Sequence, residues 1–205
     1  MAKGFSEIAF TPRVQALQSR HGSRQAYARR SAGTECEKIG PDERAFVESR
    51  DSFYIATVGE TGWPYVQHRG GPKGFLRVLD ERTLAFADFR GNKQYISAGN
   101  LAGDDRAALF LMDYPSRTRL KFFVRVKLVE RDEDPALIER LTVPGYDARV
   151  ERAFVLGVEG FDWNCPQHIT PRYTAEEIEE AIAPLKARIA ELEGKLALAG
   201  TESRS

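Results

Sequence analysis

The sequence predicts a mainly β domain, a small barrel or sandwich with flanking helices and a C-terminal amphipathic helix, and three observations carry that expectation. Between Phe53 and Val129 the chain reads as six short strand-like runs separated by turn-rich pieces. Near the C-terminus Ile178, Ile182, Leu185, Ile189, Leu192 and Leu196 step by 4, 3, 4, 3, 4, which lays one apolar seam along one helix. The 205 residues balance 30 Lys+Arg against 30 Asp+Glu, with 42% hydrophobic and 29% charged. That is the composition of a folded chain, and its neutrality gives no global pull towards nucleic acid or anionic lipid. One domain with appended terminal segments is expected at this length: a basic arm over 1–40, a barrel over 41–172, and a helix with a tail over 173–205.

The arm carries a net charge of +4. Pro12 opens a short helix with Val14 and Leu17 on one face, but Gly22, Gly33 and Gly40 predict an otherwise irregular segment with few regular elements. Pro41-Asp-Glu begins a helix reaching about Ser49, with its acids at the positive end of the helix dipole. Phe53–Val58 and Trp63–His68 flank Gly59-Glu-Thr-Gly62 and read as a hairpin. Further strands are expected at Gly74–Val78, Thr83–Ala87, Arg106–Met112 and Leu120–Val129. A helix from about Asn92 to Gly99 interrupts them, capped by Asn92 and ended by Gly99-Asn100. A short helix over Asp134–Leu141 and a strand over Ala153–Val158 follow. The terminal seam, on a stretch of net charge −3, needs a cover, either a second copy or its own domain, and Pro184 marks a kink.

Several classes are excluded. The longest wholly apolar run, Ala107–Met112, is far short of the roughly 18 residues that span a bilayer. The N-terminus lacks the apolar core of a secretory signal, so a cytoplasmic protein without a membrane partner is expected. Cys36 and Cys165 lie 129 residues apart without a set of neighbouring Cys and His large enough to ligate a metal, which predicts neither a disulfide framework nor a metal site.

Three segments can carry chemistry. In Gln67-His68-Arg69-Gly70-Gly71 the glycines permit close approach of a ligand and Arg69 offers charge for a phosphate; a glycine-rich bulge with solvated charges explains the same residues. In Asp88-Phe-Arg90-Gly-Asn92-Lys93-Gln94 a helix start with Lys93 and Arg90 makes an anion site, or Asn92 is simply a cap. In Asp162-Trp163-Asn164-Cys-Pro-Gln167-His168 an aromatic surface with amide and imidazole groups suits a flat polar ring, or Trp163 plugs the barrel end.

In this order the three segments resemble flavin-nucleotide-binding proteins related to pyridoxamine 5′-phosphate oxidase, which adopt the split β-barrel fold, over about Pro41–Val129. The strand ending at Gln67–Gly71 is similar to the one passing beside the FMN ring, and Asp88–Gln94 to the turn whose basic pair holds the FMN phosphate. Lys93 falls on the Arg of that pair. Gln94 stands where Lys is usual, so the resemblance implies a second charge from Arg69 or Arg90. It also implies a homodimer with FMN in the interface, where Arg117 or Arg119 and the Trp163, Asn164, Gln167 and His168 cluster act from the opposite subunit. The stretch from Asp162 to Arg172 resembles a flavin-nucleotide-binding branch rather than the oxidases that act on vitamin B6.

The function expected is an FMN-dependent oxidoreductase acting on a small molecule, with no obligatory catalytic side chain and His68 or His168 as proton donors. The alternative is a flavin- or haem-binding protein of the same fold without turnover, with either histidine as an axial ligand. A nucleic-acid role for the arm has no accompanying motif, and no nucleic-acid partner is expected.

Overall fold

The computed structural model describes residues 4–31, 38–163 and 166–202. They form two compact units, the first reaching Asp113 and including Thr118–Pro166, the second made of Tyr114–Arg117 and the chain from Gln167.

The first unit begins with three short helices, α1 (Phe5–Ala9), α2 (Pro12–Arg20) and α3 (Arg24–Ser31). The expectation of an irregular arm is therefore corrected over its described part. Thr11 caps α2, and Gly22, at φ 76, ends it while Ser23 N–H donates to the Gln18 carbonyl at 2.8 Å. A glycine read as a breaker is a C-terminal cap. α1 docks on the sheet: Phe5 stacks on Phe123 at 5.0 Å, and a Cβ at Gly160 would lie 2.8 Å from the Phe5 Cα.

Helix α4 (Pro41–Glu48) matches expectation, with the Glu43 carboxylate accepting from Gly40 N–H at 2.9 Å. The strands follow as β1 (Ser52–Val58), β2 (Pro64–Gly70), β3 (Leu76–Asp80), β4 (Thr83–Phe89), β5 (Arg106–Asp113), β6 (Thr118–Glu130) and β7 (Val150–Trp163). The expected hairpin is present, Ser52 facing Gly70 and Val58 facing Pro64, turned at Gly62 with φ 80. α5 (Ile96–Gly103) precedes β5, and α6 (Pro135–Leu141) is capped by the Asp134 carboxylate, which accepts from Leu137 N–H at 2.9 Å. β7 is longer than its apolar stretch suggested because it pairs along both edges, with β4 and β6. The register against β6 slips between Phe123 and Val124, a bulge that bends the pair.

The seven strands form one antiparallel sheet in the order β2-β1-β5-β6-β7-β4-β3. Its ends meet through side chains. Phe53 of β1 stacks on Phe75 at 5.6 Å and meets Phe86 of β4 edge-on at 5.2 Å, and Phe86 stacks on Phe154 of β7 at 4.8 Å. These rings are at most 1% exposed. The sheet is thus curled into a barrel that aromatic packing closes where the backbone ladder stops, the split β-barrel expected.

Between α5 and β5, Asp104 accepts from the Arg106 guanidinium at 2.8 and 2.5 Å. Those bonds hold its carboxyl at about 2, below the usual 3.8. A carboxyl-detected titration should show Asp104 with a midpoint near 2, returning towards 3.8 in Arg106→Ala. Because the folded value is depressed, the contact's contribution to stability is present above about pH 4 and lost as pH falls towards 2. A wild-type midpoint near 3.8 refutes the contact.

The second unit contains α7 (Ala175–Glu202), with Pro184 inside it. Arg172 lies over the Tyr114 ring at 5.0 Å. No helix among the described residues is long and apolar enough to cross a membrane.

Candidate functional site

A recess in the first unit sits where β2, the end of β4 and the chain leading into α5 converge. On β2 the side chains alternate, so Tyr65, Gln67 and Arg69 turn inward while Val66 and His68 turn out. Asp88 ends β4, Asn92, Lys93 and Gln94 follow in the turn, and Tyr95, Ser97 and Glu151 of β7 complete the lining.

The helix expected from Asn92 begins instead at Ile96. The Asn92 side-chain oxygen accepts from Gln94 N–H at 3.1 Å, an Asx turn, and Lys93 and Tyr95 take φ 60 and 54, values no helix accommodates. The anion-binding helix start read at Asn92 is replaced by a turn that raises Lys93 to the surface. Gly99 and Asn100, read as the helix end, lie inside α5, where the Asn100 amide donates to the Thr57 hydroxyl at 3.0 Å.

The charges of the recess are arranged in pairs. Arg69 Nη1 meets Asp88 Oδ1 at 2.5 Å, and Arg152 Nε approaches the other Asp88 oxygen at 3.9 Å. The Arg69 guanidinium lies over the Phe154 ring at 5.0 Å, and its Nε is buried without a hydrogen-bond partner. Arg90 pairs with Glu151 at 3.3 Å, and the Tyr95 hydroxyl donates to the same carboxylate at 3.4 Å. Ser97 donates to the Gln67 carbonyl oxygen at 2.7 Å, so the Gln67 amide N–H groups are the donors it has to offer. Lys93 holds no ion pair among the described residues, which makes it the uncommitted cation on the rim.

Burial pushes the Asp88 carboxyl up from its ordinary value, and the two arginines oppose that shift without cancelling it. The Tyr95 phenol is also raised, by loss of solvation and by its bond to Glu151.

The structure gathers Gln67, Arg69, Asp88, Asn92, Lys93 and Gln94 around this recess. His68 is on the opposite face of β2, edge-on to Tyr54 at 5.5 Å, and does not line this recess. Gly70 ends β2, and Gly71 serves packing: a Cβ there would lie 2.7 Å from Phe75 and 3.0 Å from Phe89. Gly71→Ala should lower stability by about 1–3 kcal/mol in denaturant unfolding, and an unchanged midpoint would show that the rings yield freely. Trp163 donates to Glu43 at 2.8 Å and packs on Phe46, closing the barrel end under α4. Arg117, at φ 55, and Gln167 and His168 belong to the second unit, while Asn164 lies outside the described residues. Arg119 lies over the Phe110 ring at 5.7 Å.

Sequence reading missed Tyr65, Tyr95, Ser97 and Glu151. Alternation from Gln67 along β2 was a signal for Tyr65; nothing local marked Glu151, at the start of a strand expected two residues later.

The sequence matches the family model of pyridoxamine 5′-phosphate oxidase over residues 39–154. No curated protein matches it at a significant level. Similar solved structures include HupZ of Group A Streptococcus, at 13% identity over 66% of this chain and 99% of that one, TM-score 0.46. A protein related to general stress protein 26, from Clostridium acetobutylicum, is 16% identical over 67% of this chain and 94% of its own, TM-score 0.46. An FMN-binding protein from Syntrophomonas wolfei is 14% identical over 73% and 97%, TM-score 0.45.

Proposed function

We propose, from the premise that this chain belongs to the pyridoxamine 5′-phosphate oxidase family, that it binds FMN with the phosphate at the Asn92–Gln94 turn and serves as a flavin-dependent oxidoreductase. The observation that carries the reading is the charge pattern of the recess. Asp88 and Glu151 are each matched by arginine, leaving Lys93, beside exposed backbone of the turn, for an anion.

Two features decide how a flavin nucleotide would sit. Arg69 and Arg90, the expected sources of a second phosphate charge, are both engaged by carboxylates, so they shape the recess while Lys93 makes the charge-assisted contact. The recess itself has a volume of only about 50 Å³, against the roughly 300–1,000 Å³ of small-molecule sites. One chain therefore encloses one end of such a ligand, and the flat ring needs a second wall.

A second copy supplies that wall in the proposed homodimer. The face of β1 and β2 turned away from the recess exposes Val58, Val66 and Tyr54, with Trp63 at the hairpin tip 78% exposed, a separate apolar surface that association would also cover. FMN would supply the hydride or electron transfer. The chain's own residues bind and orient: Lys93 holds the phosphate, the Gln67 amide donates towards the ring edge, and Tyr65 lines the slot.

An absorption spectrum of the purified protein, with any cofactor released by heat and identified by mass, tests the reading. Bound FMN, or its uptake by an apo fraction, is the expected result; failure to bind or take up flavin overturns the cofactor. Anaerobic bleaching of bound flavin by a reduced nicotinamide separates an oxidoreductase from a flavin carrier.

A further inference from the structure

The seam on α7 is left open among the described residues, with Leu185, Ile189 and Leu196 at 65, 56 and 72% exposure. We propose that α7 pairs in parallel and in register with α7 of a second copy, as a short two-stranded coiled coil. This goes beyond the flavin reading and uses it only for the tether that a barrel dimer provides.

The heptad positions supply the first argument. Ile178, Leu185 and Leu192 fall at d, and Ile182, Ile189 and Leu196 at a. The central positions, Ile182 and Ile189 at a with Leu185 and Leu192 at d, carry the isoleucine-at-a, leucine-at-d pattern that favours two parallel strands. The two residues that weaken a helix, Pro184 and Gly194, fall at c and f, both off the seam.

The flanking charges choose the orientation. Lys186 at e pairs with Glu179 at e, while Arg188 and Lys195, both at g, pair with Glu191 at c. Glu193, the remaining acid at e, has no ion pair among the described residues. In a parallel pair each g residue meets the following e residue of the other helix, which sets Arg188 against Glu193 of the second copy. An antiparallel pair sets g against g and brings Arg188 and Lys195 against like charge. Under three heptads the coil is marginal alone, and tethering at millimolar effective concentration is what lets it form.

The test uses the full chain with Cys36→Ser and Cys165→Ser, carrying either Leu192→Cys at d or Ala190→Cys at b. In a parallel coil Leu192 meets its own counterpart within disulfide reach, whereas Ala190 faces away. Mild oxidation should link the Leu192→Cys chains at least roughly tenfold faster than the Ala190→Cys chains. Leu185→Cys, one heptad earlier, should behave like Leu192→Cys and guards against a local folding defect. Equal or slower linking at both d positions overturns the proposal. FMN titration of the same samples reads the flavin proposal separately: flavin taken up without preferential linking defeats the coil alone.

Discussion

Replacing Asp88 with Ala should lower the stability of the fold by about 3–5 kcal/mol, the largest effect expected of any single substitution in the recess. The residue is 6% exposed, and its carboxylate balances Arg69 and shares Arg152 with Glu130, both arginine side chains being themselves largely buried. Deleting it leaves the Arg69 guanidinium against Phe86 and Phe154 with no anion beside it, while Arg152, over the Tyr95 ring, keeps the Glu130 carboxylate at 3.4 Å. Asp88→Asn, which keeps an acceptor for Arg69, should lose less. Denaturant midpoints measure both, and a loss below about 1 kcal/mol for Asp88→Ala would show that water reaches the arginines. The pH dependence has a defined sign. The folded carboxyl is raised above 3.8 because burial disfavours its charge. The native state therefore binds a proton more readily than the unfolded chain. Its contribution grows as pH falls from the raised value towards 3.8, and Asp88→Asn should remove that component.

Lys93→Ala should weaken FMN binding by about 10–100-fold, the equivalent of roughly 1.5–3 kcal/mol for one charge-assisted phosphate contact. The substitution removes charge without removing structure. Lys93 is exposed in a turn held by the Asn92 side chain, and alanine at φ 60 bears the same backbone cost as lysine. The unfolding midpoint should stay within about 0.5 kcal/mol of wild type. The wild-type affinity should fall with added salt more steeply than that of the variant. Equal affinities in a flavin titration would reject Lys93 as the phosphate ligand and move that role to the backbone of the turn.

What the sequence made legible follows physical range. The β1–β2 hairpin was readable because Gly59 and Gly62 set its turn and its strands alternate locally. The α6 cap, Asp134 before Pro135, was equally local. The start of α5 was misplaced because Asn92 serves a helix cap and an Asx turn with the same side-chain oxygen; only the left-handed Lys93 and Tyr95 decide between them. In the arm, Gly22 was read as a breaker because a terminating glycine and an interrupting one look alike without the helix before it. In the recess, Arg69, Asp88 and Lys93 were visible as residue types, but their division into paired and unpaired charge was not. Glu151 and Arg152, which complete that division, arrive from a strand far along the chain, beyond β5, β6 and α6.

The strand order also has a consequence for how the molecule is made. The β3–β4 hairpin is finished at Phe89, yet its only ladder partner outside itself among the described strands is β7, which begins at Val150. A growing chain therefore carries that hairpin, with the apolar Leu84 and Phe86, through the synthesis of β5, β6 and α6 before the sheet can receive it. Pairing at such sequence separation is slow to nucleate, because the loop entropy is spent before any contact returns it. Interruption of synthesis before β7 would leave the hairpin without a place in the sheet, and the last strand thus decides whether β3 and β4 join the strands already paired as β2-β1-β5-β6.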